Sequence, residues 1–110
     1  MLSGSANTFL SCLLNGGIGG VISLANSMPE VVCRLYDYFM AGDLAKAAAL
    51  NREIIRANLG VSGKYGVAGV KYAMDLNGFH GGAPRLPLLP ITEEGKQSVK
   101  ACLAAADFSL

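Results

Sequence analysis

The stretch Asn15–Asn26, reading NGGIGGVISLAN, constrains the fold of this chain more than any other, because it packs four glycines into five positions directly ahead of an apolar, β-branched run. A strand with one wet face alternates apolar and polar residues. An unbroken run such as GVISLA, residues 20–25, instead predicts a strand buried on both faces, as in parallel sheets. Upstream, Phe9, Leu10, Leu13 and Leu14 recur at the helical interval, and Asn15-Gly16 supplies the left-handed stop that glycine adopts without steric cost. The opening MLSGS has the look of a strand end running into a turn. The order is therefore strand, helix, strand. A phosphate cradle requires its glycines after a strand and before a helix, so that the amides of the helix start face the anion. Here they follow a helix and lead into a strand, so Gly16, Gly17, Gly19 and Gly20 read as a hinge. In a parallel αβ array, ligand chemistry collects at the other end, where strands give way to helices. Those positions are Ser3, Gly4 and Ser5, then Leu24, Ala25 and Asn26.

The remainder reads as helices joined by short breaks. Ser27 and Glu30 stand in capping-box spacing with Pro29 in the first turn, predicting a helix with Val31, Val32, Leu35 and Phe39 on its buried face. It breaks at Ala41-Gly42-Asp43, where Asp43 caps a long helix over 44–59. Residues 64–78 keep helical spacing at Val67, Val70 and Met74 despite two internal glycines, and Asn77-Gly78 stops them. Residues 79–91, with prolines at 84, 87 and 90, are predicted to be an extended segment lying on other elements. Thr92 caps a last helix with Glu93 and Glu94 favouring its dipole and Val99, Cys102, Leu103 and Ala106 as its buried stripe. Two strands and about five helices result by this reading. Two parallel strands cannot cover their own faces, so the missing neighbours must come from more chain or another copy.

Composition narrows the function classes. Apolar residues make up 52% and charged residues 15%, an excess that suggests surface meant to be covered. Nine basic residues scattered from Arg34 to Lys100, with a net charge of +1, give no stripe that would track a nucleic-acid backbone. Cys12, Cys33 and Cys102 form no CxxC pair, which argues against zinc and a disulfide framework and for buried thiols in a reducing compartment. TFLSCLL is too short for a membrane span and lacks a basic residue before it, as a signal peptide would have. The expectation is a protein of the cell interior, cytoplasmic or mitochondrial, with any targeting segment upstream of Met1.

LSGS at a strand end, GGIGGVISLAN on the next strand, LYDYFMAGDLAKAAALN behind it, KYGVAGVKYAMDLNG, and PRLPLLPITEEGK near the end together resemble the carboxy-terminal part of the dihydrodipicolinate synthase and N-acetylneuraminate lyase family. SGSANTFLSCLLNGG and VSGKYGVAGVKYAMDLNGF look most like its 4-hydroxy-2-oxoglutarate aldolase branch. The resemblance implies an α/β fold: the last two βα units of a (β/α)8 TIM barrel over residues 1–42, followed by a three-helix C-terminal extension over 43–110. It also implies class I aldolase or lyase chemistry, in which a desolvated lysine forms a Schiff base with pyruvate or another 2-oxo acid and a tyrosine relays protons, with no further cofactor. The complete enzyme would be a homo-oligomer, with no nucleic-acid or membrane partner. The lysine-bearing sixth strand, the tyrosine and the carboxylate-binding loop would all lie upstream of Met1. Gly4 and Ile22 match family positions lining the 2-oxo-acid pocket, with Ser3 and Ser5 as polar neighbours. Dipicolinate synthases often carry two acidic residues after that glycine; Ser5 and Ala6 stand here, which favours an aldolase over a 4-hydroxy-tetrahydrodipicolinate synthase. The alternative is a non-catalytic helical module or truncated paralogue that associates with a full-length subunit.

No other residue type makes a site. Lys46, Lys64, Lys71, Lys96 and Lys100 all fall in helices or at their starts, and Lys71, which matches a family position on a tail helix, reads as structural. His80 is the one histidine and sits in a proline-flanked segment, so surface or packing is the better account, since a metal needs three or four converging ligands. Ser5 and Asn7 have no histidine near in sequence to make a nucleophile. Tyr36, Tyr38, Tyr65 and Tyr72 lie in helical stretches and read as packing residues. Arg85 pins the tail segment or is simply solvated.

Overall fold

The computed structural model describes residues 1–109. Two short strands, β1 (Leu2–Ser3) and β2 (Gly19–Gly20), pair in parallel with Leu2 opposite Gly19 and Ser3 opposite Gly20. Between them run a 3-10 turn (Ala6–Thr8) and α1 (Phe9–Leu14). Helix α1 ends on Asn15, and Gly16 follows at φ +90, so the stop lies where the glycine run places it. Gly17 admits nothing larger, because a Cβ there would meet the Cys12 Sγ at 2.3 Å and its carbonyl oxygen at 2.8 Å.

The predicted strand over 20–25 is shorter than its composition implies. The ladder stops at Gly20, with one further bond from the Val21 amide to the Ser3 carbonyl at 2.9 Å. Leu24–Ser27 then turn into a one-turn helix, α2. A strand propagates only as far as its neighbours supply partners, and β2 has one neighbour, itself two residues long. Nor are the strands covered on both faces: Leu2, Ile18 and Val21 are 59%, 74% and 77% exposed. This apolar flank is covered by nothing among the described residues.

Helix α3 (Pro29–Met40) opens with Pro29 in its first turn, as expected, but the capping box does not form. Met28 holds the N-cap position, while Ser27, buried at the end of α2, donates its hydroxyl to the Leu24 carbonyl at 3.2 Å. The extra turn of α2 shifts the frame by one residue and takes the serine out of register. Val31, Val32 and Leu35 are buried, and Phe39, Tyr36 and Tyr38 pack partly buried against the same core. After Gly42, at φ +77, the Asp43 carboxylate caps α4 (Leu44–Asn58) by accepting the Lys46 amide at 3.2 Å. Ala47, Leu50 and Ile54 of α4 join Phe9, Leu10, Leu13, Ile22, Leu24 and Leu35 in one cluster, so α4 closes over the strand-helix units.

The chain continues through a π-helical turn (Leu59–Gly63) into α5 (Lys64–Leu76), kinked at Gly66, where φ is +61. The buried face is turned away from the one that the spacing of Val67, Val70 and Met74 marks. Gly69, Val70 and Ala73 are buried, whereas Val67 is half exposed. Gly69 lets the helix close onto the π-turn, since a Cβ would sit 2.5 Å from the Val61 carbonyl oxygen. Residues 79–91 lack regular structure, as expected, and they lie on other elements at their two ends, with Ile91 packed against the second cluster described below and the middle left exposed. The Gly81 amide donates to Asp75 at 2.8 Å and its carbonyl accepts from Lys71 at 2.9 Å, while Leu86 and Leu89 are 82% and 71% exposed. Arg85 is exposed. Thr92 caps α6 (Glu93–Ala105) through the Gly95 amide at 3.1 Å. Val99 is fully buried with Val61, Val70 and Ala73 in a second cluster flanked by Tyr65, Tyr72 and Ile91; Leu103 touches both clusters, and Ala106 lies past the helix end. The thiols are not buried as expected: Cys33 is exposed, and Cys12 and Cys102 are half-buried. The core is filled by larger aliphatics, and Cys33 falls on the outer face of α3.

Candidate functional site

Parallel pairing brings the C-terminal ends of β1 and β2 to one edge, and with them the residues singled out from sequence. Ser3 is buried, and its hydroxyl is engaged with the Ser5 carbonyl and the Thr8 hydroxyl, each at 2.9 Å. The Ser5 hydroxyl caps the 3-10 turn by accepting the Asn7 amide at 3.1 Å. Both serines therefore shape the loop rather than present unoccupied hydroxyls. Gly4 between them is exposed, and apart from its two chain neighbours no atom of the described residues lies within 4 Å of where a Cβ would stand, so its backbone is the open part of the loop.

Ile22 leaves β2 and turns inward. It is 8% exposed, packs in the main cluster, and borders a cavity of about 270 Å³ with Phe9, Ala25, Val32, Cys33 and Tyr36. Its side chain also crowds Gly20, where a Cβ would lie 3.0 Å from both the Ile22 Cδ1 and the Ser3 carbonyl oxygen. Ser3, Gly4 and Ser5 border none of the four principal cavities among the described residues. The strand ends bring Gly4 and Ile22 to the same edge without enclosing a pocket between them.

A larger cavity, about 540 Å³, opens just beyond the same edge. Ser23, at the N-cap of α2, and Asn26, within α2, line it together with Ser62, Val70, Lys71 and His80. His80 is exposed at its rim, and Lys71 is held by the Gly81 carbonyl, in keeping with structural roles for both. The sequence expectation places Asn26 at a strand end, but β2 stops at Gly20 and Asn26 reaches the cavity from α2; Ser62 reaches it from the π-turn, which carries no sequence motif.

The five lysines lie on α4, α5 and α6, and none is on a strand. Among the described residues no three His, Cys, Asp or Glu side chains are grouped to hold a metal ion, and no helix is long and apolar enough to cross a membrane. Among the described residues two titrations are displaced, both away from the strand ends. Burial pushes the Cys102 thiol up, partly offset by the Arg56 guanidinium, and hydrogen bonds from the Ser109 hydroxyl and amide hold Asp107 down.

With this arrangement in view, the family is plain: the chain belongs to the dihydrodipicolinate synthetase family, whose model matches residues 1–106. It is 33% identical over 108 residues to the 4-hydroxy-tetrahydrodipicolinate synthase of Caldicellulosiruptor bescii, covering 98% of this chain and 37% of that protein. Among solved structures it is similar to KD(P)GA from T. tenax, with a TM-score of 0.86, 27% identity, and 97% of this chain covering 38% of that one. It is also similar to the N-acetylneuraminate lyase of Proteus mirabilis, with a TM-score of 0.78, 35% identity, and 93% of this chain covering 35% of that one. The chain thus spans little more than a third of the length of the relatives it matches, and it is a partial α/β segment of their barrel fold.

Proposed function

We propose that this chain is the part of a Schiff-base-forming 2-oxo-acid aldolase or lyase that carries the last two strand-helix units, residues 1–42, and the helical extension, residues 43–110. Pyruvate is the substrate or product, and the Gly4 backbone with the Ile22 side chain forms one wall of its pocket. The observation that carries this reading is the parallel pairing of Ser3 with Gly20, which sets the SGS loop and Ile22 at the C-terminal end of adjacent strands. That end is where barrels of this kind assemble their chemistry. Ser3 and Ser5 act by holding the loop, so Gly4 offers an unobstructed main chain to the oxo acid. The attacking amine comes from outside these 110 residues, because all five lysines here sit on helices.

Within the family, Ser5 and Ala6 after Gly4 favour a 4-hydroxy-2-oxoglutarate aldolase-like reaction, since neither side chain supplies a carboxylate to a second substrate. The synthase reaction is the second reading, favoured by the 33% identity to the C. bescii synthase. Borohydride reduction in the presence of pyruvate tests the class: the full-length protein should be irreversibly inactivated with a stable pyruvyl adduct. Protein that keeps full activity after that treatment is not a Schiff-base enzyme of this kind. Release of pyruvate from 4-hydroxy-2-oxoglutarate separates the aldolase from the synthase.

A further inference from the structure

The loop that bears Gly4 is tied to a residue far away in sequence. Residues 3–8 are stitched internally: Ser3 Oγ bonds the Ser5 carbonyl and Thr8 Oγ1, the Ser5 amide donates to Ser3 Oγ at 3.4 Å, and the Asn7 amide donates to Ser5 Oγ. From the end of α4, 51 residues downstream, Asn58 then donates its Nδ2 to the Asn7 Oδ1 at 3.0 Å. Asn58 is only 6% exposed, and its own Oδ1 is buried with no hydrogen-bond partner among the described residues. A buried, half-satisfied amide is a net burden on a helix whose neighbouring buried positions are Ile54, Ala57 and Val61, since an unpaired carbonyl keeps its full desolvation cost. Leucine is nearly isosteric and would remove that cost. Stability therefore does not explain the asparagine.

We propose that Asn58 is a positioning residue for the 2-oxo-acid pocket: through Asn7 and Ser5 it holds the Ser3-Gly4-Ser5 main chain in the attitude that the substrate meets. It touches no reacting atom. The inference rests on the pocket assignment above, and it gives α4, outside the strand-helix units, a part in substrate affinity. Because the loop is set before the oxo acid arrives, loosening it should weaken binding of the oxo acid more than it slows chemistry at saturation.

The test uses the full-length protein with Asn58→Leu, Asn7→Ala and the double variant, following borohydride inactivation as a function of pyruvate concentration. Asn58→Leu should raise the half-saturating pyruvate about fivefold, the factor that one net hydrogen bond supplies, with the limiting inactivation rate little changed. Its melting temperature should stay within about 3 °C of wild type. The Asn7→Ala change should give the same rise, and the double variant no more than either. Amide hydrogen exchange at Ser5–Thr8 should speed up in all three. If Asn58→Leu fails to fold, the Asn7→Ala result decides alone, since Asn7 is only half-buried. Unchanged half-saturation and unchanged loop exchange in a folded variant would overturn the proposal, as would effects that add in the double variant. Wild-type protein that pyruvate and borohydride never modify would instead remove the pocket assignment, and this inference with it.

Discussion

Gly60 and Cys102 offer a perturbation whose sign can be worked from geometry. They meet where the π-turn after α4 packs on α6, and a Cβ on Gly60 would stand 2.3 Å from the Cys102 Sγ and 3.1 Å from its Cβ. Ordinary contact is 3.4–4 Å, so Gly60→Ala drives the sulfur more than an ångström into forbidden space. Rotating the thiol would give up its contacts with the Arg56 and Ala57 carbonyls at 3.8 and 4.0 Å, and the Cys102 Cβ at 3.1 Å stays too close in every rotamer. Helix α6 must shift instead, loosening Val99, which is fully buried three residues away. Overpacking of this kind costs about 1–3 kcal/mol. Against it stands the helical preference of alanine over glycine, about 1 kcal/mol, so the clash should win and the variant be destabilised. Cys102→Ala alone should cost about 1 kcal/mol for the lost contact area. In the double variant the new methyl occupies the space that the sulfur leaves, and the penalty should fall below the sum of the singles by about 1–2 kcal/mol. Urea unfolding of the four proteins measures this. A stabilised Gly60→Ala, or strict additivity, would refute the packing of α6 on the π-turn.

Other expectations follow from the same contacts. Thr92→Ala and Asp43→Ala should each cost about 1 kcal/mol in urea unfolding as lost N-caps, whereas Glu30→Ala should cost only a few tenths, because no capping box forms at α3. Leu50→Ala, at a fully buried site between α4 and the strand-helix units, should cost about 3–5 kcal/mol and lower the melting temperature steeply. Raised by burial, the Cys102 thiol stays protonated in the folded state at pH values where an unfolded thiol ionises. Its contribution to stability is thus complete below the unfolded value of 9.0 and is lost as pH rises through the folded one. Alkylation at pH 8 followed by peptide mass spectrometry should accordingly label exposed Cys33 before Cys102. The 110-residue chain expressed alone should self-associate through the flank of Leu2, Ile18 and Val21, and a monodisperse monomer in sedimentation would count against that.

Local signals in the chain were sufficient wherever the local backbone decides. The Asn15-Gly16 stop and the Asp43 and Thr92 caps depend on residues within one turn and appear where their chemistry places them, whereas the α6 stripe is fully buried only at Val99. Composition misled where the environment decides. GVISLA carries the residues of a doubly buried strand, yet its backbone has one short neighbour, so α2 forms in its place and takes Ser27 out of the capping register. On α5 the apolar spacing of Val67, Val70 and Met74 marks a different face from the buried one of Gly69, Val70 and Ala73, because the small residues that let α5 approach the π-turn carry no hydrophobic signal. At the candidate site, Ser3, Gly4 and Ser5 are legible as strand-end positions and Ile22 only through the family resemblance, whereas the hydrogen bonds that tie both serines into the loop are not legible. Asn58 left no trace in the sequence, because a single amide reaching across 51 residues has neither period nor motif.

The most direct measurement is the location of the pyruvyl adduct. Digestion of borohydride-reduced full-length protein, with mass spectrometry of the peptides, should place the modified lysine outside the residues numbered 1–110 here. Lys46, Lys64, Lys71, Lys96 and Lys100 should all be recovered unmodified. A pyruvyl group on any of these five would contradict the account, because it would put the amine on a helix and make this segment the source of the nucleophile rather than a wall of its pocket.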